Sequence, residues 1–122
     1  MTQNQSTTQQ ENALQCIQSF LNALNNEDFD TAKEYLNNDL SFIGVLGSRE
    51  GADPYMNDMR KMKIKYEIKK TFANGDEVCV LCNFVMSGLS VFGAAWYQLS
   101  GGKISSIRVV FDPRPLLEKQ GN

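Results

Sequence analysis

From residue 65 to residue 111 the chain is a succession of short strand-type segments separated by turns too short to cross over a sheet. Lys65, Glu67 and Lys69 alternate with Tyr66, Ile68 and Lys70, which predicts a half-buried strand reaching about Phe72. Asn74-Gly75-Asp76 is a hairpin turn. Residues 78–86 form a nearly unbroken apolar strand, Ser87-Gly88 breaks it, and residues 91–99 form another. Ser100-Gly101-Gly102 then turns into a strand over residues 103–111, which Asp112-Pro113-Arg114-Pro115 ends. Consecutive strands joined by such turns pair antiparallel, so about two-fifths of the chain is committed to one meander.

The first half has a different period. Residues 1–10 are almost wholly Gln, Asn, Ser and Thr, a composition that buries nothing and predicts a disordered N-terminal tail. From about Glu11, apolar residues Leu14, Ile17, Phe20, Leu21 and Leu24 recur at spacings of three and four, predicting an amphipathic helix that ends near Asn25-Asn26. Asp28 caps a second helix over residues 29–35, with Phe29, Ala32, Tyr35 and Leu36 on one side, and Asn37-Asn38-Asp39 stops it. Residues 40–45 read as a strand running into the loop Gly47-Ser48-Arg49-Glu50-Gly51. Asp53-Pro54 opens a third helix carrying Tyr55, Met59 and Met62. The order helix, helix, strand, helix, four strands gives an α+β domain with helices on one face of a curved, mostly antiparallel sheet. One domain spans residues 11–116, and residues 117–122 are a C-terminal tail.

Composition narrows the chemistry. The chain has no histidine, which removes the usual general base near neutral pH and every imidazole-dependent triad. Its formal net charge of −2 supplies no global field for nucleic acid or an anionic membrane, so neither is expected as a partner. No stretch is apolar for long enough to span a bilayer. Cys16, Cys79 and Cys82 are an odd set without a secretory leader, which predicts a reducing, cytoplasmic setting. Cys79 and Cys82 fall on opposite faces of their strand and read as small buried hydrophobes, not as a redox pair. No cofactor and no metal site is expected; Glu50 and Asp53 would suit only a loosely held hard cation. The basic run Arg60, Lys61, Lys63, Lys65, Lys69 and Lys70 reads as a solvated face, Met56, Met59 and Met62 as core and pocket lining, and Arg108 with Asp112 as a surface ion pair.

The segments Phe20-Leu-Asn-Ala-Leu-Asn-Asn-Glu-Asp-Phe-Asp30, Tyr35-Leu-Asn-Asn-Asp39, Gly47-Ser-Arg-Glu-Gly51 and the closing Gly-Gly-Lys-Ile-Ser-Ser-Ile-Arg-Val-Val-Phe-Asp-Pro resemble the nuclear-transport-factor-2-like superfamily. The nearest branches are the SnoaL-like and ketosteroid-isomerase-like domains. The resemblance implies a cone, also described as a cystatin-like roll, whose bent sheet wraps the N-terminal helices around an apolar pocket. It also implies three catalytic positions of ketosteroid isomerases, which fall on Phe20, on Ile43 or Gly44, and on Ala95. None of these side chains can perform the role, so no catalytic residue is expected and ketosteroid isomerase activity is excluded; any reaction the resemblance leaves open is that of an isomerase, cyclase or hydrolase on an apolar cyclic substrate. The Asp-Arg-Asp arrangement of limonene epoxide hydrolases is likewise hard to build on apolar inward positions.

Carried onto these strands, the family orientation turns Val80, Cys82, Phe84 and Met86 inward, followed by Gly93, Ala95, Tyr97 and Leu99, and then Ser105, Ile107, Val109 and Phe111. The implied ligand-binding set is Phe20, Tyr35, Tyr55 and Met59 from the helical half, with Cys82, Phe84, Met86, Ala95, Tyr97, Val109 and Phe111 from the strands. Gly93 and Ala95 are expected to leave open space, and Tyr55, Tyr97, Ser105 and Cys82 to offer polar handles. Two functions stay open: a domain binding an apolar, cyclic small molecule, and a protein-interaction module with a filled cone. The outward positions Cys79, Leu81, Val85 and Trp96 are as apolar as the inward set, which predicts a homodimer through the outer sheet face.

Overall fold

The computed structural model describes residues 2–121, with side chains described for residues 8–118. Helix α1 (Thr2–Asn25) leads into the short helix α2 (Phe29–Lys33) and strand β1 (Leu36–Ile43). Strand β2 (Ser48–Glu50) and helix α3 (Ala52–Met62) follow. The meander is β3 (Lys65–Asn74), β4 (Glu77–Met86), β5 (Leu89–Ser100) and β6 (Lys103–Phe111), and helix α4 (Arg114–Gly121) closes the chain. All six strands form one sheet in the order β2-β1-β6-β5-β4-β3, antiparallel throughout except where β1 lies parallel to β6. The α+β architecture with helices against one face of a curved sheet is the one the sequence implies.

The helix period places Ala13, Ile17, Phe20, Leu21 and Leu24 on one buried stripe of α1, and this stripe packs onto the concave face of β3 and β4. Asn25, the last residue of α1, fixes the junction with its side chain. Its Oδ1 accepts from the Tyr66 backbone N–H at 2.7 Å and its Nδ2 donates to the Tyr66 carbonyl at 3.0 Å. The amide thereby substitutes for a neighbouring strand at the free edge of β3. Helices α2 and α3 are tied by ion pairs from Lys33 to Asp53 and from Arg60 to Asp30, the latter at 3.0 Å.

Several local expectations are corrected. Helix α1 already runs from Thr2, where a disordered tail over residues 1–10 is expected. Nothing in that stretch breaks a helix, and Gln10 accepts from the Gly75 N–H in the β3–β4 turn. The tail expected at residues 117–122 belongs in part to α4. Asn37-Asn38-Asp39 does not follow a longer second helix but lies inside β1. There a bulge sets Leu36 opposite Ile104 and Ser41 opposite Ser106, and Asn37 Nδ2 donates to the carbonyls of Ser100 and Lys103. A second bulge between Gln98 and Leu99 turns Ile104 inward and leaves the Ser105 hydroxyl donating to the Gln98 carbonyl at 2.9 Å. A third lies between Ile68 and Lys70, and Ile68, on the edge strand, is exposed.

Gly93 leaves no open space. A Cβ there would collide with the Val110 carbonyl oxygen on β6, and would stand 2.8 Å from Phe111 Cβ and 2.9 Å from Phe84 Cε2. The missing side chain is what lets β5 and β6 approach at the sheet's bend while two phenylalanine rings close over it. Gly93→Ala is therefore expected to destabilise by about 2 kcal/mol or more, lowering Tm by roughly 5–10 °C in a thermal melt followed by circular dichroism. Gly75→Asn, at a turn position with φ of 61° and open space around an added Cβ, should cost far less.

Candidate functional site

The sheet and α3 leave a cleft of about 320 Å³ at the end of the concave face away from the start of α1. Its roof is the β1–β2 connection. Gly44 N–H donates to the Gly47 carbonyl at 2.8 Å, closing a tight loop whose tip exposes Val45 and Leu46. A Cβ on Gly44 would sit 2.9 Å from the Phe42 ring, so glycine lets the loop fold back over that ring. One wall is the last two turns of α3, with Asp58, Met59, Lys61 and Met62, continued by Ile64. Lys63 ends the helix in the left-handed conformation, its N–H donating to the Met59 carbonyl. The opposite wall is the sheet: Tyr66 from β3, Phe84 and Met86 from β4, Val109 and Phe111 from β6.

The aromatic wall is internally braced. The Phe84 ring meets the Tyr66 ring edge-on at 5.6 Å between centroids and the Phe111 ring at 5.8 Å, while Phe42 stands 5.0 Å from Tyr55. Such contacts fix ring planes as well as burying area. The rim is polar: Ser48, Arg49, Asp58 and Lys61 border the opening. Arg49 Nε donates to Asp58 Oδ2 at 2.8 Å and its Nη1 to the Ser48 carbonyl at 3.1 Å.

Of the residues named from sequence, the structure brings Met59, Phe84, Met86, Val109 and Phe111 together around this cleft. It puts Phe20, Tyr55, Cys82, Ala95 and Tyr97 in the closed core instead, and Tyr35 half-buried beside β6, where its carbonyl accepts from the Ile104 N–H. The reason is α1: Phe20 packs edge-on against Tyr97 at 6.3 Å and fills the deep end of the concave face. Glu50 accepts from Ser41 and Asp53 pairs with Lys33, so neither reaches the cleft. Asp112 bonds Arg114 rather than Arg108. Among the residues that sequence reasoning missed are Phe42, Val45, Leu46, Arg49, Asp58, Lys61 and Tyr66. The available signal was Val45-Leu46, two large apolar residues inside a glycine-bounded loop that would ordinarily be polar.

The expected polar handles change accordingly. Tyr66 is the phenol on the cleft wall, its hydroxyl directed to Met59 Sδ at 3.9 Å. Burial raises its pKa above that of a free phenol. Burial likewise pushes Tyr55 and Tyr97 well above the ordinary value, reinforced for both by the nearby Tyr66 oxygen. Burial, with Cys79 adding to it, pushes the Cys82 thiol up to about 11. All four groups are therefore neutral near pH 7: they can donate or accept a hydrogen bond but supply neither a base nor a thiolate.

Residues 17–107 match the profile of the SnoaL-like domain. Among solved structures, the chain is similar to an NTF2-like protein of unknown function from Cytophaga hutchinsonii ATCC 33406. The two are 43% identical with a TM-score of 0.85, over 86% of this chain and 94% of that one. It is also similar to an LEH-like epoxide hydrolase from M. tuberculosis, at 26% identity and TM-score 0.75 over 89% of each chain. A protein with a cystatin-like fold from Methylobium petroleophilum PM1, 13% identical, shares the fold at TM-score 0.76 over 84% of this chain and 76% of that one. None of the curated proteins matches the sequence.

The neutral cluster has a consequence at high pH. Each of these groups ionises later in the folded chain than in the unfolded one, so above its ordinary pKa the unfolded state binds fewer protons and gains on the folded state. Their contribution is complete below about pH 9 and is lost as pH rises, first through Cys82 and more steeply once free phenols ionise near 10. Thermal melts from pH 7 to 11 should show a level Tm up to about 9 and a steepening fall above 10. Cys82→Ala should reduce the onset near 9 without abolishing it, because burial raises the Cys16 thiol as well.

Proposed function

The chain belongs to the SnoaL-like domain family, and on that premise we propose that it binds an apolar, cyclic small molecule in the cleft between α3, the β1–β2 loop and the sheet. The observation that carries this reading is the cleft's volume together with its walls. About 320 Å³ reaches the size at which small-molecule sites begin, and the surface beneath the rim is formed almost wholly by aromatic, aliphatic and methionine side chains. Methionines 59, 62 and 86 suit such a site because an unbranched thioether adapts to ligands of different outline. Tyr66 would give the ligand one hydrogen bond. A protein-interaction module with a filled cone fits the closed deep end, where Phe20 meets Tyr97, but it gives no role to the open cleft.

The reading is one of binding without a recognised reaction. By the family resemblance, two positions where ketosteroid isomerases carry their catalytic groups fall on Phe20 and Ala95, and neither side chain has a proton to exchange. Loss of a general base costs about 10² to 10⁴ in rate and loss of each oxyanion donor about 10² to 10³, so isomerisation of a Δ5-3-ketosteroid should be undetectable. A hydrolase reading drawn from the LEH-like relative meets the same obstacle, since Val80, Cys82, Phe84 and Ala95 stand on the inward strand positions. The three free thiols support a reducing, cytoplasmic setting, and no helix among the described residues is long and apolar enough to cross a membrane.

N-phenyl-1-naphthylamine, a neutral fluorescent ligand, tests the site. It should bind the wild-type protein with a micromolar dissociation constant, about −8 kcal/mol. Val109→Phe, which adds a ring inside the cleft at a half-buried position, should weaken binding at least tenfold while Tm changes by only a few degrees. Equal binding by that variant, or no saturable binding by the wild type, would defeat the reading. Ala95, fully buried between strands, is not a usable blocking position: a larger residue there should unfold the core.

We also propose that two copies pair through the outer sheet face. Phe72, Cys79 and Trp96 align across three strands, Leu81, Ala94 and Val110 lie in the next row, and Val85 and Phe92 extend the patch. Trp96 is 42% and Phe92 59% exposed in the single chain, although the Trp96 indole N–H donates to Glu77 at 2.9 Å. A patch of this kind is covered most simply by its own copy about a twofold axis. Light scattering at tens of micromolar should give twice the 13.7 kDa chain mass, and Leu81→Lys with Trp96→Glu should return it to the chain mass without loss of the fold. A monomer mass for the wild type would sink the pairing.

A further inference from the structure

We propose that the molecule held in the cleft is an amphipathic anion, with its apolar body against the sheet and a carboxylate or similar head at Arg49 and Lys61. This rests on the binding reading above and specifies the ligand class. Apolar and charged chemistry are separated along the cleft. Its inner walls carry no charged side chain, and all three charged residues that border it, Arg49, Asp58 and Lys61, stand on β2 and α3 at the opening. Their sum is one positive charge.

The carboxylate does not cancel both cations. Asp58 receives only the Arg49 Nε–H, and a guanidinium has five N–H groups. With Nη1 giving one bond to the Ser48 carbonyl, three N–H donors remain, two of them on Nη2. The two existing bonds hold the guanidinium plane in place, so a head group would meet a positioned donor set rather than a free side chain. Lys61 has no ion-pair partner among the described residues. The neighbouring cations are engaged elsewhere: Arg60 with Asp30, and Lys63 and Lys65 with Glu27. Of the neighbouring carboxylates, Asp53 is paired with Lys33, and Glu50, which accepts from the Ser41 hydroxyl, stands outside the residues that border the cleft. An anionic head would leave the apolar body to displace water from Phe84, Met86, Val109 and Phe111, which offer no polar partner for it.

Two probes of nearly the same shape separate the head from the body: 8-anilinonaphthalene-1-sulfonate, which carries an anion, and N-phenyl-1-naphthylamine, which does not. Lys61→Met keeps the aliphatic stem and removes the charge. It should weaken the sulfonate about fivefold and leave the neutral probe within twofold, and adding Arg49→Gln should weaken the sulfonate further. Raising salt from 50 to 500 mM should weaken the sulfonate in the wild type and have much less effect in the double variant. If both probes bind, Val109→Phe abolishes both, and the rim substitutions alter neither, the anion proposal is overturned while the cleft remains a binding site. If Val109→Phe changes neither probe, the binding reading itself fails. Arg49→Lys, which retains the charge but loses the fork, should restore only part of the sulfonate affinity lost in Arg49→Gln.

Discussion

The packing of α1 against the concave sheet decides where everything else in this protein can be. Ile17, Phe20, Leu21 and Leu24 are entirely or almost entirely withdrawn from solvent, and Phe20 places its ring edge on Tyr97 at the deep end of the curve. That burial uses most of the volume a bent sheet encloses. What remains lies beyond the end of α1, and Asn25 marks the border by clamping both backbone groups of Tyr66. From Tyr66 outward the sheet is covered by α3 and by a loop instead of by the long helix, and there the cleft opens. The same fold can thus be solid at one end and hollow at the other, because a single helix stripe cannot follow the whole curvature of the sheet.

Within the cleft, shape is set by close contacts and chemistry by their exclusion of water. Gly93 lets β5 and β6 bend toward each other while Phe84 and Phe111 close over the gap, so the aromatic wall depends on the absence of one side chain. Tyr66 on that wall, and Tyr55, Tyr97 and Cys82 behind it, are held neutral by desolvation. A wall of neutral phenols and thioethers recognises outline and polarisable surface, and leaves charge recognition to whatever stands at the mouth. Arg49, Asp58 and Lys61 stand there because β2 and the last turns of α3 meet at the open end.

How much of this was legible in the sequence follows from range. Period-two and helical spacing located every strand of the meander and the buried stripe of α1, because those signals are local and repeated many times. The tight turns at Asn74-Gly75 and Gly101-Gly102 were visible for the same reason. The bulges were not, since each is a difference in register between two strands. They decide that Ile104 rather than Ser105 faces inward and that Asn37-Asn38-Asp39 belongs to a strand. The site shows the same division. Inward positions near the strand ends, Phe84, Met86, Val109 and Phe111, lie on the cleft. Phe20, Ala95 and Tyr97, on equally inward positions, were not separable from them without knowing where the helix stops. Small residues misled for a related reason: at Gly93 the space is already filled by atoms from another strand.

The central claim is that apolar ligands enter at the end of the sheet that α1 leaves uncovered. Four internal methionines report on it directly, since Met59, Met62 and Met86 line the cleft and Met56, on the same helix, is buried in the core away from it. In a spectrum of methyl-13C-methionine protein titrated with N-phenyl-1-naphthylamine, the signals of Met59, Met62 and Met86 should move with one common saturation curve while that of Met56 stays in place. Movement of Met56 without the other three, or saturable binding that moves none of them, would contradict the account.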